Sequence, residues 1–245
     1  MVSNTAAVGL RVPRARAGPA DGSGRGVRGI KPPTSTAKER RYLEAREIER
    51  LAALMPVEYR PMVYLAGVLG LRWSEVAGLK VGNIDFLRQK LTVTETVAEV
   101  NGQLQPADVK TDASRRTLSI PSFLKEMLSE HLARTGRKEL GCYVFQAPEG
   151  GAIRYNNFRC RVFNPAVKKA RLDGVTFHGL RHSAGGLLRQ ANVHTQVIQQ
   201  RLGHASSRTT TDIYGWVPDE TDKAAADALD RMFAKPRGLS AAYGD

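Results

Sequence analysis

The C-terminal part of the chain carries residue types that can attack a phosphodiester without a metal ion. The segment Thr176 to His182 contains two histidines and Arg181, and a further histidine, His204, precedes Tyr214. A tyrosine hydroxyl has a pKa of about 10 and is a poor nucleophile at neutral pH. An active Tyr214 therefore needs a base and a positively charged pocket, which the histidines and Arg181 can supply.

The spacing of His178, Arg181 and His182 predicts that they lie side by side on a helix. Residues three and four apart share one helix face, so a base would lie next to an arginine. Two histidines four residues apart also occur on zinc-binding helices of hydrolases, but Gly179 stands where those enzymes need a glutamate. We therefore prefer metal-free chemistry over zinc hydrolysis.

Three sequence motifs, in this order, resemble those of the tyrosine recombinases, also called phage integrases. They are Gly70 to Leu79 around Arg72, Val109 to Arg116 around Lys110, and His178 to Tyr214 with Arg181 and Leu202-Gly203-His204 inside it. The resemblance extends from about residue 41 to about residue 217. It implies a mainly α-helical catalytic domain with a small antiparallel β-sheet, the DNA breaking-rejoining fold.

The resemblance also implies which groups bind the phosphate. Arg72 and Arg181 would hold its non-bridging oxygens, because a guanidinium group can bind two oxygens at once. His204 would donate a hydrogen bond to the same phosphate. Glu75, three residues after Arg72, either holds the guanidinium of Arg72 in place or is an acid on the helix surface.

The remaining predicted roles concern proton transfer and the covalent step. Lys110 would protonate the leaving 5′ oxygen, and His178 would accept the proton of Tyr214, whereas His182 packs against or orients its neighbours. Tyr214 would form a 3′-phosphotyrosyl intermediate. This bond conserves the free energy of the phosphodiester, so rejoining requires no ATP, no metal and no other cofactor.

Composition agrees with a nucleic-acid partner. The formal net charge is +13 and the sequence pI is about 10.1, and an excess of Lys and Arg is what a polyanion-binding surface requires. Residues 1–41 hold nine basic and two acidic residues, with many Gly, Pro and Ser and no apolar period. We interpret them as a basic flexible arm. The arm could be a solvated linker, a DNA-contacting segment, or both.

The apolar runs of the sequence are too short to span a bilayer.

The predicted domains are the arm at 1–41, the catalytic domain at 42–217 and a C-terminal helix and tail at 218–245. Most members of the family carry a separate helical core-binding domain before the catalytic domain, and only about forty residues precede it here. Residues Asn4 to Arg14 look like the end of such a domain. Our hypothesis is a truncated form of a longer integrase, and a natural minimal recombinase is the alternative.

Periodicity predicts the elements that position the motifs. Helices are expected at Tyr42 to Met55, Pro61 to Gly70, Ser122 to Thr135, Asn156 to Leu172, Gly179 to Ala191, Thr195 to Leu202 and Ser207 to Tyr214. Strands are expected at Ile84 to Phe86, Lys90 to Val97 and Arg116 to Ile120, with a hairpin turn at Asn101-Gly102 and an extended segment at Cys142 to Phe145. Lys110 would lie between the second and third strands. A last helix, Ala224 to Phe233, would dock either on a neighbouring protomer or on its own domain.

These observations predict a site-specific DNA recombinase for integration or excision of a phage or mobile element. Its partner would be double-stranded DNA, bound by a homotetramer on paired sites, with an accessory DNA-bending protein as a possible addition. We expect it in the bacterial cytoplasm or nucleoid and not in a membrane. The alternatives are a type IB topoisomerase and a DNA-binding regulator that keeps the fold without covalent chemistry.

Overall fold

The computed structural model describes residues 41–108, 115–203 and 219–234. Within these ranges the chain is mainly α-helical with antiparallel sheet, as the sequence predicts, but it forms two small sheets where one was expected. The helices are α1 Ala45–Ala53, α2 Arg60–Gly67, α3 Trp73–Ala77, α4 Ser122–Thr135, α5 Tyr155–Phe158, α6 Asn164–Lys169, α7 Phe177–Gln190, α8 Thr195–Leu202 and α9 Asp219–Phe233. The strands are β1 Ile84–Asp85, β2 Lys90–Val93, β3 Glu95–Val100, β4 Gln103–Asp108 and β5 Arg116–Ser119. No helix in these ranges is long and apolar enough to cross a membrane.

Helix α2 lies at the centre of the hydrophobic core. Every residue from Pro61 to Gly67 is buried, and the helix packs against α1 and α7. A helix that is apolar on all sides is stable only when other elements surround it. The predicted helix continues to Gly70, but α2 ends at Gly67 and the chain turns at Gly70 with a φ of 75°. Arg72 then begins the next helix as the N-cap of α3.

The prediction of one continuous strand from Lys90 to Val97 was wrong. This segment divides into β2 and β3, which belong to different sheets. The first sheet has the antiparallel order β1-β2-β5, with Leu91 opposite Leu118. Both leucines are buried in the core, and residues that are paired on neighbouring strands point to the same side of a sheet.

Strands β3 and β4 form a separate hairpin. Its turn residues Asn101 and Gly102 have φ values of 51° and 77°, so the predicted hairpin turn is confirmed. Strand β4 was not predicted because its Pro, Ala and Asp have low strand propensity, and pairing with β3 imposes its conformation. The next residues, 109–114, which include Lys110, fall outside the described ranges.

The helices after the sheets agree well with their prediction. Helices α4 and α8 have the predicted bounds. Helix α7 begins earlier than expected, at Phe177, because the hydroxyl of Thr176 accepts a hydrogen bond of 3.0 Å from the backbone N–H of Gly179. The predicted helix 156–172 consists of α5, a π-helical turn at Arg159–Phe163 and α6. The predicted helix from Ser207 lies outside the described residues.

Helix α9 packs on its own domain. Leu229 and Phe233 are buried, and the Phe233 ring stacks on Phe123 at 5.0 Å between centroids. The Asp230 carboxylate accepts hydrogen bonds from the backbone N–H groups of Ser122 and Phe123, at 2.7 and 3.1 Å, and so caps the start of α4. Of the two predicted arrangements for this helix, the structure has the one within the domain.

Candidate active site

Helix α3 presents the first predicted arginine at its N-terminus. Glu75 accepts hydrogen bonds of 2.8 Å from the backbone N–H and from the Nη1 of Arg72. The Nη2 of Arg72 donates to the carbonyl of Gly203, also at 2.8 Å, although the two residues are far apart in the chain. The side chain of Arg72 is 36% exposed. Both terminal nitrogens of Arg72 are therefore held by hydrogen bonds, yet its side chain is partly exposed and accessible to a ligand.

Helix α7 presents the second predicted arginine and the two histidines. Arg181 is buried and donates to the carbonyls of Gly70 and Leu202. The rings of His178 and His182 meet edge to face at 4.9 Å, which confirms that they are neighbours on the helix. His178 is exposed, so it lies at the surface of the helix while Arg181 points into the domain.

Three arginines converge on the C-terminal turn of α8. Its last carbonyl groups lack partners within the helix and carry partial negative charge. The carbonyls of Arg201, Leu202 and Gly203 accept from Arg116, Arg181 and Arg72 respectively. Each arginine belongs to a different element, namely β5, α7 and the start of α3. The turn is therefore the point that holds both predicted phosphate-binding arginines together.

Two glycines allow this convergence. Gly203 ends α8 in the left-handed conformation with a φ of 61°, which glycine adopts without strain. Gly70 has a φ of 75°, and a Cβ atom at this position would overlap the side chain of Leu202. The glycine of the first motif thus allows the turn after α2 to approach Leu202, and the glycine of the third motif ends α8 at that point.

Glu75 connects the arginines of this cluster. It is buried, and burial by itself raises its pKa, but hydrogen bonds and charge from Arg116, followed by hydrogen bonds from Arg72, lower the pKa below the usual value. Glu75 is therefore an anion at neutral pH. The prediction that it holds the guanidinium of Arg72 is confirmed, and the alternative of a surface acid is wrong.

The pKa of Arg181 reflects its burial first and the neighbouring positive charge second. Burial, followed by the charge of Arg72, lowers the pKa of Arg181 to about 10. The guanidinium stays protonated at neutral pH because this value is still well above 7. Arg72, Arg116 and Arg181 with the single anion Glu75 give this cluster an excess of two positive charges.

Arg116 is a residue of this cluster to which sequence reasoning gives no role. The sequence places it at the end of the motif around Lys110 and at the start of a strand, and the structure shows that its buried guanidinium contacts both Glu75 and the carbonyl of Arg201. One signal could have found it. In β5 the exposed Thr117 separates Arg116 from the buried Leu118, so the arginine occupies an inward position of the strand.

An aromatic cluster joins the two helices that carry the arginines. The Trp73 ring, next to Arg72, packs edge to face on Phe177 at 5.2 Å, and Phe177 precedes His178. Phe158 contacts both rings, at 4.9 Å from Trp73 and 5.6 Å from Phe177. Aromatic pairs of this geometry fix the relative positions of their helices.

The structure thus brings together part of the predicted site. Arg72 and Arg181 meet at the end of α8, and His178 lies on the same helix as Arg181. Lys110, His204 and Tyr214 lie outside the described residues. Among the described residues, no group of three or more His, Cys, Asp or Glu side chains could hold a metal ion.

Comparison with known proteins identifies the class of protein that this fold and arginine cluster define. The family model described as the phage integrase family matches residues 41–220. The chain therefore belongs to the phage integrase family.

Individual relatives agree with this assignment. The chain is 28% identical over 208 residues to a tyrosine recombinase XerC-like protein of Caldanaerobacter subterraneus subsp. tengcongensis. This match covers 76% of the chain and 53% of the relative. It is also 27% identical over 208 residues to the ICEBs1 integrase of Bacillus subtilis, in a match that covers 80% of this chain and 56% of the relative. The chain thus spans little more than half the length of these relatives.

A solved structure shows the same fold. The Tn1549 transposon integrase, solved in complex with transposon right end DNA, superimposes with a TM-score of 0.61 at 19% identity. The match covers 78% of this chain and 66% of that protein.

Proposed function

We propose that this chain is the catalytic part of a site-specific DNA recombinase that cleaves and rejoins DNA through a 3′-phosphotyrosyl intermediate. The observation that carries the proposal is the convergence of Arg72 and Arg181 on the C-terminal turn of α8. The third motif continues from this turn directly into His204 and then Tyr214. Two fixed guanidinium groups and a nucleophile on the adjoining segment are what metal-free phosphoryl transfer requires.

The arginine cluster suits the transition state of this reaction. Negative charge spreads over the non-bridging oxygens of the phosphate as the new bond forms. Donors that are already oriented by the protein stabilise this charge without reorganising during the reaction. Arg72 and Arg181 are oriented in this way by carbonyl groups of Gly203, Gly70 and Leu202.

The other roles follow the resemblance to the family. Tyr214 attacks the phosphorus, His178 accepts its proton, and Lys110 protonates the 5′ oxygen that leaves. His204 donates a hydrogen bond to the phosphate. The position of His178 on the exposed side of α7 supports its role, because a base that serves a substrate must be accessible to it.

The partner in this proposal is double-stranded DNA. Support comes from the net charge of +13 and from a relative of the same fold that was solved with DNA. Four protomers on two paired sites would exchange strands, with an accessory DNA-bending protein where the element requires one. The reaction would take place in the cytoplasm of a bacterial host, where its substrate lies.

The test is covalent trapping on a nicked suicide duplex from the attachment region of the element. We expect a covalent protein–DNA band on a denaturing gel, and nucleotide mass on the tryptic peptide that contains Tyr214. Nucleotide on a different residue would overturn the assignment of the nucleophile. DNA binding without a band, even after fusion of a core-binding domain upstream, would favour a DNA-binding regulator.

The Arg181→Lys variant tests the phosphate-binding role. A guanidinium can contact two carbonyls and still offer N–H groups to a phosphate, whereas a lysine ammonium is a single point charge. We expect the single-turnover rate of covalent product formation to fall about 100-fold, the typical cost of losing one oriented donor. The matched control is Arg189→Lys on the exposed part of the same helix, which should react at the wild-type rate. Equal rates for both variants would contradict the role.

A further inference from the structure

The buried residue Arg116 has no role in the proposed chemistry, yet it occupies the middle of the arginine cluster. We propose that Arg116 is a positioning residue that balances the charge of Glu75, so that Arg72 keeps its own charge and orientation for the phosphate. This inference rests on the proposed function. It concerns how the cluster divides one negative charge among several arginines.

Glu75 bonds more strongly to Arg116 than to Arg72. Arg116 makes two parallel hydrogen bonds to the carboxylate, from Nη1 at 3.0 Å and from Nη2 at 2.8 Å. The side chain of Arg72 makes one, from Nη1 at 2.8 Å. The bidentate contact is the stronger and the more directional of the two. Glu75 is therefore paired mainly with Arg116.

Burial makes this pairing necessary. The side chains of Glu75 and Arg116 are 1% and 5% exposed, whereas that of Arg72 is 36% exposed. A buried carboxylate has lost its hydration and needs a counter-charge within contact distance. Because Arg116 supplies this counter-charge inside the domain, Arg72 can keep its Nη2 bonded to the Gly203 carbonyl. The positive charge of Arg72 then remains available to a phosphate at the surface.

Arg116 also fixes the position of the α8 turn. Its Nε donates a hydrogen bond of 2.7 Å to the carbonyl of Arg201, the first of the three carbonyls that the arginines contact. One guanidinium thus joins β5, α3 and the end of α8. A neutral or shorter side chain cannot make all three contacts, since only the arginine fork has donors in these directions.

Loss of Arg116 would therefore change Arg72 rather than only weaken the fold. Glu75 would remain buried, and the nearest side chain already bonded to it is Arg72. We expect Arg72 to form the bidentate pair instead, to leave the Gly203 carbonyl, and to have its charge neutralised. The excess of positive charge in the cluster would fall from two to one.

The test compares Arg116→Gln with the double variant Glu75→Gln/Arg116→Gln in the suicide-substrate assay. The single variant should form covalent product about 10- to 100-fold more slowly, the usual effect of losing a residue that orients a functional group. Its Kd for DNA should rise by much less than the rate falls, because Arg116 is buried and only the phosphate contact of Arg72 is altered. The double variant should recover most of the lost rate, since no buried anion is left to capture Arg72. Arg116→Lys should lie between the wild type and Arg116→Gln.

A purely structural role predicts the opposite order. Losses would then add, and the double variant would be slower than Arg116→Gln, which would overturn the inference. The matched control is Arg88→Gln, which removes an arginine whose side chain is 83% exposed and should not change the rate. Melting curves would establish that each variant is folded at the assay temperature.

A crystal structure of a variant separates this inference from the proposed function. If no variant, wild type included, gives a covalent band, the proposed function fails, but the position of Arg72 can still be measured. In Arg116→Gln, or in Arg116→Lys if the former does not fold, we expect Arg72 to shift from the Gly203 carbonyl towards Glu75. An unmoved Arg72 would overturn the inference whatever the activity.

Discussion

The Tyr214→Phe variant is expected to form no covalent DNA product on the suicide substrate, while its affinity for the same DNA stays close to that of the wild type. Phenylalanine lacks the hydroxyl oxygen that forms the bond to phosphorus, and the rest of the site is unchanged. Loss of a nucleophile of this kind lowers the rate by a factor on the order of 10⁴ or more. The measurement is single-turnover trapping, combined with DNA binding in a gel-shift titration.

The matched control is Tyr143→Phe. Tyr143 lies outside the three motifs and pairs with Lys80 in an isolated β-bridge, so removal of its hydroxyl should leave the covalent band intact. Two results would count against the proposed chemistry. A band in Tyr214→Phe would move the nucleophile to another residue. Equal DNA binding without a band in both the variant and the wild type, even after fusion of a core-binding domain upstream, would describe a regulator.

The second large effect concerns the stability of the domain and the ion pair between α8 and α9. Arg201 is buried, with a side chain that is 1% exposed, and it pairs with Asp222 of α9. Burial lowers the pKa of Arg201, and the charge of Asp222 acts against this. Asp222 also accepts a hydrogen bond of 2.5 Å from the backbone N–H of Ser119, and so connects α9 to β5.

We expect Asp222→Ala to lower the free energy of unfolding by about 3–5 kcal/mol, the usual cost of leaving one partner of a buried pair without its counter-charge. The whole stability of a domain is about 5–15 kcal/mol, so the variant should melt many degrees below the wild type. Urea unfolding followed by circular dichroism measures the change. Because the contact lies within one chain, the loss should not depend on protein concentration.

Two further variants make this prediction specific. Asp227→Ala removes the neighbouring ion pair with Lys223 on the same helix, which is exposed, and should cost at most about 1 kcal/mol. The double variant Arg201→Met/Asp222→Leu replaces the buried pair by apolar side chains and should recover most of the stability. If Asp222→Ala cost no more than Asp227→Ala, α9 would not be docked on its own domain in solution.

Several parts of the fold could be predicted from local signals. The bounds of α4 and α8 follow from apolar periodicity and from Gly136 and Gly203, which end these helices in the left-handed conformation. The hairpin turn at Asn101-Gly102 follows from the strong preference of this dipeptide for two-residue turns. Each of these signals lies within a few residues of the element that it determines.

Other parts could not be predicted because they depend on distant partners. Strand β4 has poor strand propensity and exists because it pairs with β3. The division of the predicted strand at Thr94 depends on which sheet each half joins. The amphipathic pattern of α9 is compatible with docking on a second protomer or on its own domain. The hydrogen bonds that Asp222 and Asp230 accept from Ser119 and Ser122 place it on its own domain.

The sequence by itself determined the family, the order of the three motifs and the pair of arginines at their centres. It could do so because residue type and spacing along the chain are sufficient to specify a set of chemical groups. Only the tertiary structure decided that Arg72 and Arg181 meet on the carbonyls of α8, and that Glu75 and Arg116 stand behind them. The physical reason is that a buried charge is stable only with a counter-charge in contact, and here folding supplies it from strand β5, 41 residues along the chain from Glu75.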